Sequence, residues 1–249
     1  MCIYTSFGGV SMQDSYVGDI GDYGKYGLLR EVSAAISLSV NWYRVLPVKT
    51  GKQLDGKYTD YLSMSETYRE YDPTLFDSLY KIVRTETDRR IERIETANLF
   101  PAIFYSKEIG TDRLNWHREA LKQTKGTDAV FLDPDNGLET RKMNQTGSAT
   151  QKHVKRSELK DYYARGQNVI LYQHRPQMTK KKQCIENILS FQRDYLSADC
   201  VKLLEFPKYT NRFYFMFLHK EYQTVFEKIC FSTVHKWGKK DFCREIILE

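Results

Sequence analysis

The sequence predicts an α/β protein with a Rossmann-like, mainly parallel sheet and an antiparallel strand pair near the C-terminal end. Three observations lead to this fold class. Short apolar runs recur along the chain, helical patterns separate most of them, and a short polar turn joins the last two runs. Strands separated by helices of about ten residues or more form parallel βαβ units. We expect a single domain over residues 1–249, with a helical insertion at about 57–99.

In the first half of the chain, apolar residues recur at helical spacing over residues 24–38. The glycine-rich segment 18–26 before them predicts a loop that leads into this helix. A strand is expected at 40–46, where Pro47 ends it. A long, charged helical region should then cover residues 71–97, because Asp72-Pro73 is a typical helix start.

The second half continues the alternation of strands and helices. The apolar runs predict strands at 102–105, Ala129–Leu132, 168–172, Cys200–Phe206 and Arg212–Leu218. The helical patterns predict helices at 112–125, 157–164, 177–196 and 222–231. The polar stretch 140–153 between them is expected to be a loop.

The composition is that of an ordinary globular protein. The chain has 249 residues, of which 28% are charged and 41% hydrophobic. No apolar stretch reaches the roughly 18 residues of a membrane span, and the N-terminus lacks the regions of a signal peptide. We therefore expect a cytoplasmic protein with no membrane partner. Five scattered cysteines without a C-x-x-C pair make structural zinc and a disulfide framework unexpected.

The net charge of +6 is concentrated in local groups of lysine and arginine, notably at 152–156, 180–182 and 236–240. Such groups favour a polyanionic partner such as nucleic acid. The alternative is a basic surface that contacts only solvent. Interleaving with 18 tyrosines also suits nucleic-acid binding, although this is a feature of composition alone.

An acidic turn follows the apolar run Ala129–Leu132. Its first four residues are Asp133, Pro134, Asp135 and Asn136. In open α/β sheets, ligand-binding residues follow the carboxyl ends of such buried strands. These four residues are therefore candidate catalytic residues.

His174 ends the predicted strand at 168–173 and is the fifth catalytic candidate. If that strand neighbours the strand before Asp133, an imidazole that exchanges protons near neutral pH lies at the same crevice. The alternative is a hydrogen-bonded histidine with a structural role.

The glycine-rich segment carries candidate ligand-binding residues of its own: Gly18, Asp19, Gly21, Asp22 and Lys25. Glycines let backbone amides approach a phosphate or carboxylate, and Lys25 adds a countercharge. The alternative is a helix start at which the aspartates cap the first turn.

The order of elements, the acidic turn and the C-terminal strand pair resemble class I S-adenosylmethionine-dependent methyltransferases. Residues 133–136 resemble the Asp-Pro-Pro-Tyr motif of amino-methyltransferases that act on nucleic acid. The segment Gly-Asp-Tyr-Gly-Lys-Tyr-Gly-Leu-Leu at 21–29 is similar to the N-terminal loop and helix of ribosomal RNA adenine-N6 methyltransferases and of three-Cys-motif partner proteins. The resemblance covers roughly residues 16–220.

This resemblance implies N-methyl transfer from S-adenosylmethionine to nucleic acid or a nucleotide. Asp133 would accept a hydrogen bond from the exocyclic amine of a flipped base, and Pro134 would offer its carbonyl. The chain departs from the motif at Asp135, which replaces the second proline, and at Asn136, which replaces the aromatic residue. The expected strand 40–46 also lacks a following glycine-rich turn. Either residues 18–25 help to hold the cofactor, or the methyl donor has been lost.

The residues are also compatible with two other functions. Hard cations prefer carboxylate oxygens. A metal-dependent nuclease or phosphohydrolase would therefore bind Mg²⁺ or Mn²⁺ through the acidic residues of two loops: Asp19, Asp22, Asp133, Asp135 and Glu139. The third possibility is a non-catalytic module that binds nucleic acid or a partner on a degenerate Rossmann scaffold.

Overall fold

The computed structural model describes residues 14, 16–45, 57–140, 148–176, 178–209 and 211–248. These residues form an α/β fold with a seven-stranded mixed sheet. The strands are, in chain order, β1 (Leu38–Asn41), β2 (Ile103–Tyr105), β3 (Ala129–Leu132), β4 (Gly137–Leu138), β5 (His153–Val154), β6 (Asn168–His174), β7 (Cys200–Phe206), β8 (Arg212–Leu218) and β9 (Arg244–Glu245). The sheet order is β2-β1-β3-β6-β8-β7-β9, and β4 pairs with β5 separately.

The sheet is parallel from β2 through β1 and β3 to β6. Strand β8 runs antiparallel to both of its neighbours, β6 and β7. The predicted α/β fold, with a mainly parallel sheet and an antiparallel C-terminal strand pair, is therefore confirmed. The connection 207–211 between β7 and β8 is too short for a parallel crossover, so these two strands must run in opposite directions.

Helices lie on both faces of the sheet. They are α1 (Ile20–Ala35), α2 (Ser65–Tyr68), α3 (Pro73–Tyr80), α4 (Ile91–Thr96), α5 (Arg113–Gln123), α6 (Ser148–Gln151), α7 (Arg156–Ala164), α8 (Lys181–Phe191) and α9 (Gln223–Trp237). Helices α2 to α4 lie between β1 and β2, within the segment expected to be a helical insertion. Within the described ranges, no helix is both long and apolar enough to cross a bilayer.

The expectation of a glycine-rich loop at 18–26 was wrong, because most of that segment is the first part of α1. Asp19 is the N-cap, and its side chain accepts a hydrogen bond from the Asp22 amide at 2.9 Å. This capping arrangement is the alternative that the sequence left open. Gly18 alone keeps a positive φ, of 75°, ahead of the helix.

The glycines inside α1 serve close packing. A Cβ atom on Gly24 would lie 2.6 Å from the Phe206 ring, and one on Gly27 would lie 2.1 Å from Trp237. Glycine weakens an isolated helix, but here it lets α1 approach bulky aromatic side chains of β7 and α9. Tertiary packing therefore outweighs the local preference that predicted a loop.

Two other expected elements differ from the structure. Strand β1 spans Leu38–Asn41 rather than 40–46, and Tyr43 has a left-handed φ of 51° that is incompatible with a continuing strand. The expected helix 71–97 is divided, since α3 continues as a π-helical turn to Thr85 and α4 begins only at Ile91. In the expected loop 140–153, residues 141–147 lie outside the described ranges, whereas α6 and β5 lie within it.

Both faces of β3 are buried, as expected for a central parallel strand. Phe131 belongs to the core cluster that includes α1, whereas Val130 and Leu132 belong to the cluster on the opposite face. Because side chains alternate along a strand, Asp133 follows Phe131 on the α1 face of the sheet. The fold thus brings the acidic turn to the first turns of α1.

Candidate functional site at the carboxyl edge of the sheet

Lys25 joins the two predicted acidic segments. Its Nζ lies 2.8 Å from Asp133 Oδ2 and 2.7 Å from Asp22 Oδ1. Asp133 directly follows β3, and its amide donates to the Asn41 carbonyl at the end of β1 at 3.0 Å. The site therefore lies at the carboxyl edge of the central parallel strands, where α/β folds bind their ligands.

Lys25, Asp22 and Asp133 form a cluster that is shielded from solvent. The side chains of Lys25 and Asp133 are 10% and 13% exposed. Burial raises the pKa of Asp133 to about 6, although the nearby Lys25 ammonium opposes this rise. Burial alone would lower the pKa of Lys25, but the Asp133 and Asp22 carboxylates outweigh it and raise that pKa above its usual value. Near neutral pH, Lys25 is cationic and Asp133 is mostly ionised.

A second ion pair extends the cluster toward β8. Arg212 Nη2 lies 3.6 Å from Asp19 Oδ2, and the Arg212 guanidinium lies where a Cβ on Gly21 would stand, 2.2 Å away. Burial raises the pKa of Asp19, whereas Arg212 counteracts this effect. Gly21 is thus required for the approach of Arg212 rather than for an amide-lined loop. Arg212 is a site residue that sequence reasoning missed, because only the β6–β8 pairing brings it here.

The amides expected to bind an anion already have partners. The Gly18 amide donates to Asp22 Oδ2 at 3.2 Å, and the Asp22 amide donates to Asp19 Oδ1. The Ile20 amide donates to the Tyr58 carbonyl at 3.0 Å. An incoming carboxylate would displace these bonds and meet two aspartates. Residues 18–25 therefore do not fit the carboxylate of S-adenosylmethionine.

Carboxylates of both acidic segments also face protein cations. Lys25 occupies the position between Asp22 and Asp133 that a metal ion would take, and Lys152 Nζ lies 3.7 Å from Asp135 Oδ2. Among the residues that the structure describes, no group of three or more His, Cys, Asp or Glu side chains could hold a metal ion. This arrangement differs from the converging carboxylates that a two-metal site requires.

Glu139 has a structural contact. Its Oε1 accepts a hydrogen bond from the Arg156 amide at 2.8 Å, at the start of α7. Its own amide donates to the Val154 carbonyl at 2.9 Å, next to the β4–β5 pair. Glu139 thus connects the end of the acidic turn to α7.

Gln173 fixes the acidic turn from the neighbouring strand. Its Nε2 donates to the Asn136 carbonyl at 3.0 Å, and its Oε1 accepts from the Leu138 amide at 2.9 Å. Gly137 has a φ of 106°, and a Cβ there would lie 2.1 Å from Gln173 Oε1, so glycine is needed on both counts. The sequence places Gln173 beside His174, but nothing local indicates that it holds the turn.

His174 lies at the same edge as the acidic turn, since β3 and β6 are neighbours with Leu132 opposite Leu171. His174 is opposite Arg212 in the β6–β8 pair, and its Nδ1 lies 3.4 Å from the Tyr172 hydroxyl. Burial, with the positive charge of Arg212 and Arg175, lowers the pKa of His174. The imidazole is therefore neutral near pH 7 and able to accept a proton.

Aromatic side chains complete the cluster. The Lys25 ammonium lies 5.2 Å from the centre of the Tyr26 ring and 5.4 Å from that of Trp42. The Tyr26 hydroxyl donates to Asp22 at 2.7 Å. Trp42 is 1% exposed and belongs to the core. Both rings lie within the distance at which an aromatic face attracts a cation, so they help to hold the Lys25 ammonium.

A cavity of about 810 Å³ lies elsewhere, at the outer edge of β2. Its lining includes Lys107 and Glu119, which form an ion pair of 2.6 Å with each other. The predicted site residues do not line this cavity. It is therefore separate from the cluster around Asp133.

The basic groups are partly neutralised. Lys181 Nζ lies 2.5 Å from the buried carboxylate of Glu205, and Lys236 pairs with Glu31 at 3.1 Å. Lys180 and Lys182 are exposed. Only part of each basic group is therefore available to a polyanion.

Comparison of the chain with known protein families, with curated proteins and with solved structures gives no match.

Proposed function

We propose that this chain is a methyltransferase-like enzyme that transfers a methyl group to an amino group of nucleic acid or a nucleotide. The observation that carries the proposal is the Asp133 carboxylate, which is shielded from solvent at the carboxyl end of β3 and kept mostly ionised by Lys25. The mixed sheet with the reversed strand β8 is compatible with this class of enzyme. The sequence Asp133-Pro134-Asp135-Asn136 resembles the amine-binding motif of such enzymes.

The surroundings of Asp133 suit a carboxylate that accepts a hydrogen bond, and then a proton, from an amine. An amino group on an aromatic base is a weak nucleophile because its lone pair is delocalised into the ring. A carboxylate that accepts a hydrogen bond from the N–H orients this lone pair and increases its availability. The bound donor would supply a methyl group on a sulfonium, whose S–C bond would break as the N–C bond forms and leave a neutral thioether, and the amine would then have one proton to lose. Asp133, with a pKa of about 6, can receive that proton and pass it to solvent.

The local charge favours an amine over an anion at this position. Among the residues that the structure describes, the carboxylates of Asp19, Asp22, Asp133 and Asp135 face the cations Lys25, Arg212 and Lys152. Carboxylates in a shielded site attract hydrogen-bond donors and repel acceptors of like charge. The substrate group that approaches Asp133 is therefore a donor such as an amine.

Two neighbouring residues support Asp133 in different ways. Gln173 forms hydrogen bonds with the Asn136 carbonyl and the Leu138 amide, so it fixes the turn that contains Asp133 and Pro134. His174, neutral near pH 7, is a second proton acceptor at the same edge. The proposed methyl donor is S-adenosylmethionine, and its carboxylate must find a partner other than residues 18–25.

Thermal unfolding with candidate ligands tests the proposal. S-adenosylmethionine and S-adenosylhomocysteine should each raise the melting temperature, because a ligand at about 100 times its dissociation constant adds roughly 2.7 kcal/mol of stability. The Asp133→Asn variant should respond to both ligands and yet transfer no methyl group. A response to Mn²⁺ or Mg²⁺ alone would favour a metal-dependent hydrolase instead. A response to none of them would favour the non-catalytic binding module.

A further inference from the structure

Tyr209 is an exposed aromatic residue in the short connection between β7 and β8. It is 56% exposed, and its ring is stacked on that of Tyr58, with the ring centroids 4.8 Å apart and an interplanar angle of 19°. Because Tyr58 covers one face of the Tyr209 ring, an exposure of this size requires the opposite face to be open to solvent. The two rings, which we call the tyrosine stack, therefore present an aromatic face on the surface of the protein.

The backbone of Tyr209 has an unusual conformation. Its φ is 62°, in the left-handed region. Bulky residues rarely adopt this conformation, and glycine or asparagine normally occupies such positions in turns. Strained residues of this kind are concentrated at binding sites. The conformation therefore favours a role for the exposed ring in binding over a role in forming the turn.

The tyrosine stack is attached to the candidate site on two sides. The Tyr58 carbonyl accepts a hydrogen bond from the Ile20 amide at 3.0 Å, at the start of α1. Arg212 Nη1 donates to the carbonyl of Lys208, in the β7–β8 connection, at 3.1 Å. Arg212 also pairs with the N-cap side chain of α1 at 3.6 Å. The tyrosine stack therefore lies at the outer end of the group of charged residues that leads to Asp133.

Cationic side chains flank the tyrosine stack. Lys57 is exposed, and its Nζ lies 5.3 Å from the centre of the Tyr58 ring. Lys208 is partly exposed in the β7–β8 connection. Arg84 donates to the backbone of the segment after Tyr58 at 3.0 Å and lies 3.9 Å from the exposed Asp60. Aromatic rings beside cations are the arrangement with which proteins bind single strands, since every base has a π face and every nucleotide carries a phosphate.

We propose that the open face of Tyr209 stacks on an unpaired base of single-stranded nucleic acid, while Lys57 and Lys208 contact its phosphates. An aromatic ring reaches the face of a base only where that base is not covered by its neighbours in a duplex. This inference rests on the proposed function for the reacting amine, and it narrows the substrate to a single strand. The stacking site itself depends only on the tyrosine stack and the cations beside it.

Fluorescence anisotropy with labelled strands of about 12 nucleotides tests the stacking site. Near physiological salt, the wild-type chain should bind single-stranded RNA or DNA more tightly than the same strand annealed to its complement. It should also bind the single strand more tightly than an abasic strand of equal length and charge, because an abasic strand has no bases to stack. The abasic strand therefore separates stacking from the attraction of lysines for phosphates.

Substitutions at Tyr209 test its role. Tyr209→Ala should weaken binding of the base-bearing strand by about fivefold or more, as expected for the loss of one stacked base, and should leave binding of the abasic strand unchanged. Tyr209→Phe keeps the ring and should bind like the wild type. Tyr195→Ala is the matched control and should also bind like the wild type. Tyr195 is 38% exposed and likewise contacts another ring, that of Phe191 at 5.6 Å, on the face of the sheet opposite α1.

The stacking site would be overturned by equal binding of base-bearing and abasic strands, by tighter binding of the duplex, by no binding of any strand, or by equal affinity of Tyr209→Ala and Tyr195→Ala. Circular dichroism checks that each variant is folded, and if Tyr209→Ala is not, Tyr209→Gly decides, because glycine suits a φ of 62°. Base-dependent binding that requires Tyr209 supports the site even where no methyl transfer is found. Methyl transfer with undiminished binding by Tyr209→Ala would leave the proposed function standing and remove the stacking site.

Discussion

Lys25 and Asp133, 108 positions apart in the chain, form an ion pair of 2.8 Å that fastens the first turns of α1 to the end of β3. Asp22 accepts from the same ammonium at 2.7 Å, so one cation serves two buried carboxylates. The pair links the two acidic segments of the sequence into one site. The Lys25 ammonium compensates both carboxylates, and it favours the ionised form of Asp133.

Replacing Lys25 by methionine should destabilise the protein. The substitution removes the ammonium that the two shielded carboxylates share, which costs about 3–5 kcal/mol. The loss should be largest near pH 8 and smaller near pH 5, where a carboxylate can take up a proton. Urea unfolding at both pH values measures it. Lys228→Met, at an exposed position of α9, is the control and should change stability by no more than about 0.5 kcal/mol. Equal stability of the two variants would contradict the role of Lys25 as counterion.

The stability of the wild type relative to Asp133→Asn should depend on pH. The folded-state pKa of Asp133 is raised from 3.8 to about 6, so the folded chain holds this proton more tightly than the unfolded chain. The resulting stabilisation is fully present below pH 3.8 and is lost as the pH rises through about 6. The free energy of unfolding of Asp133→Asn, relative to that of the wild type, should therefore increase by about 2–3 kcal/mol between pH 4 and 7.

Urea unfolding across this pH range measures the difference. Asp60→Asn, which changes a carboxylate whose side chain is 86% exposed, is the matched control and should show no comparable trend. A constant difference between Asp133→Asn and the wild type would mean that the surroundings of Asp133 do not shift its pKa.

Alanine at Gly27 should destabilise the chain even though alanine is the better helix former. The added Cβ would lie 2.1 Å from the buried Trp237 ring, and overpacking of this kind costs about 1–3 kcal/mol. Ala34→Gly, at an exposed position of the same helix, should cost about 1 kcal/mol through helix propensity alone. Chemical denaturation of both variants compares the two effects. A more stable Gly27→Ala variant would show that α1 does not pack as closely as described.

The sequence predicted the sheet better than the helix that carries the site. Ala129–Leu132, Cys200–Phe206 and Arg212–Leu218 match the observed strands, because uninterrupted apolar runs bounded by polar turns are a local signal. The glycines of α1 led to the wrong prediction of a loop. The role of Gly24 and Gly27 depends on Phe206 and Trp237, which lie more than 180 positions away in the chain.

The site was predictable only in part. The segments containing Asp22, Lys25 and Asp133 were identified from their local composition, and the structure brings all three side chains together. Lys25 was expected to attract an anion, but it compensates the two aspartates instead. Arg212 and Gln173 could not be identified, because their contacts depend on which strands are neighbours and in which register they pair.

The exposed lysines at the start of α8 should contribute to polyanion binding. The double change Lys180→Glu and Lys182→Glu should weaken binding of RNA and reduce the slope of log Kd against log salt by about two, because each phosphate contact releases about one counterion. Lys181 is left intact because its ammonium compensates the buried Glu205. Fluorescence anisotropy at several salt concentrations measures the slope. An unchanged slope would mean that these lysines contact only solvent.

Transfer of a labelled methyl group tests the central proposal most directly. Tritium-labelled S-adenosylmethionine should deliver its methyl group to the amine of a nucleic-acid or nucleotide substrate in the presence of the wild-type chain. Asp133→Ala should lower the rate by about a hundredfold or more while the variant remains folded, and Asp60→Ala, at an exposed position, should retain the wild-type rate. Absence of transfer by the wild type, or full activity of Asp133→Ala, would contradict the assignment of Asp133 as the amine-binding group of a methyltransferase.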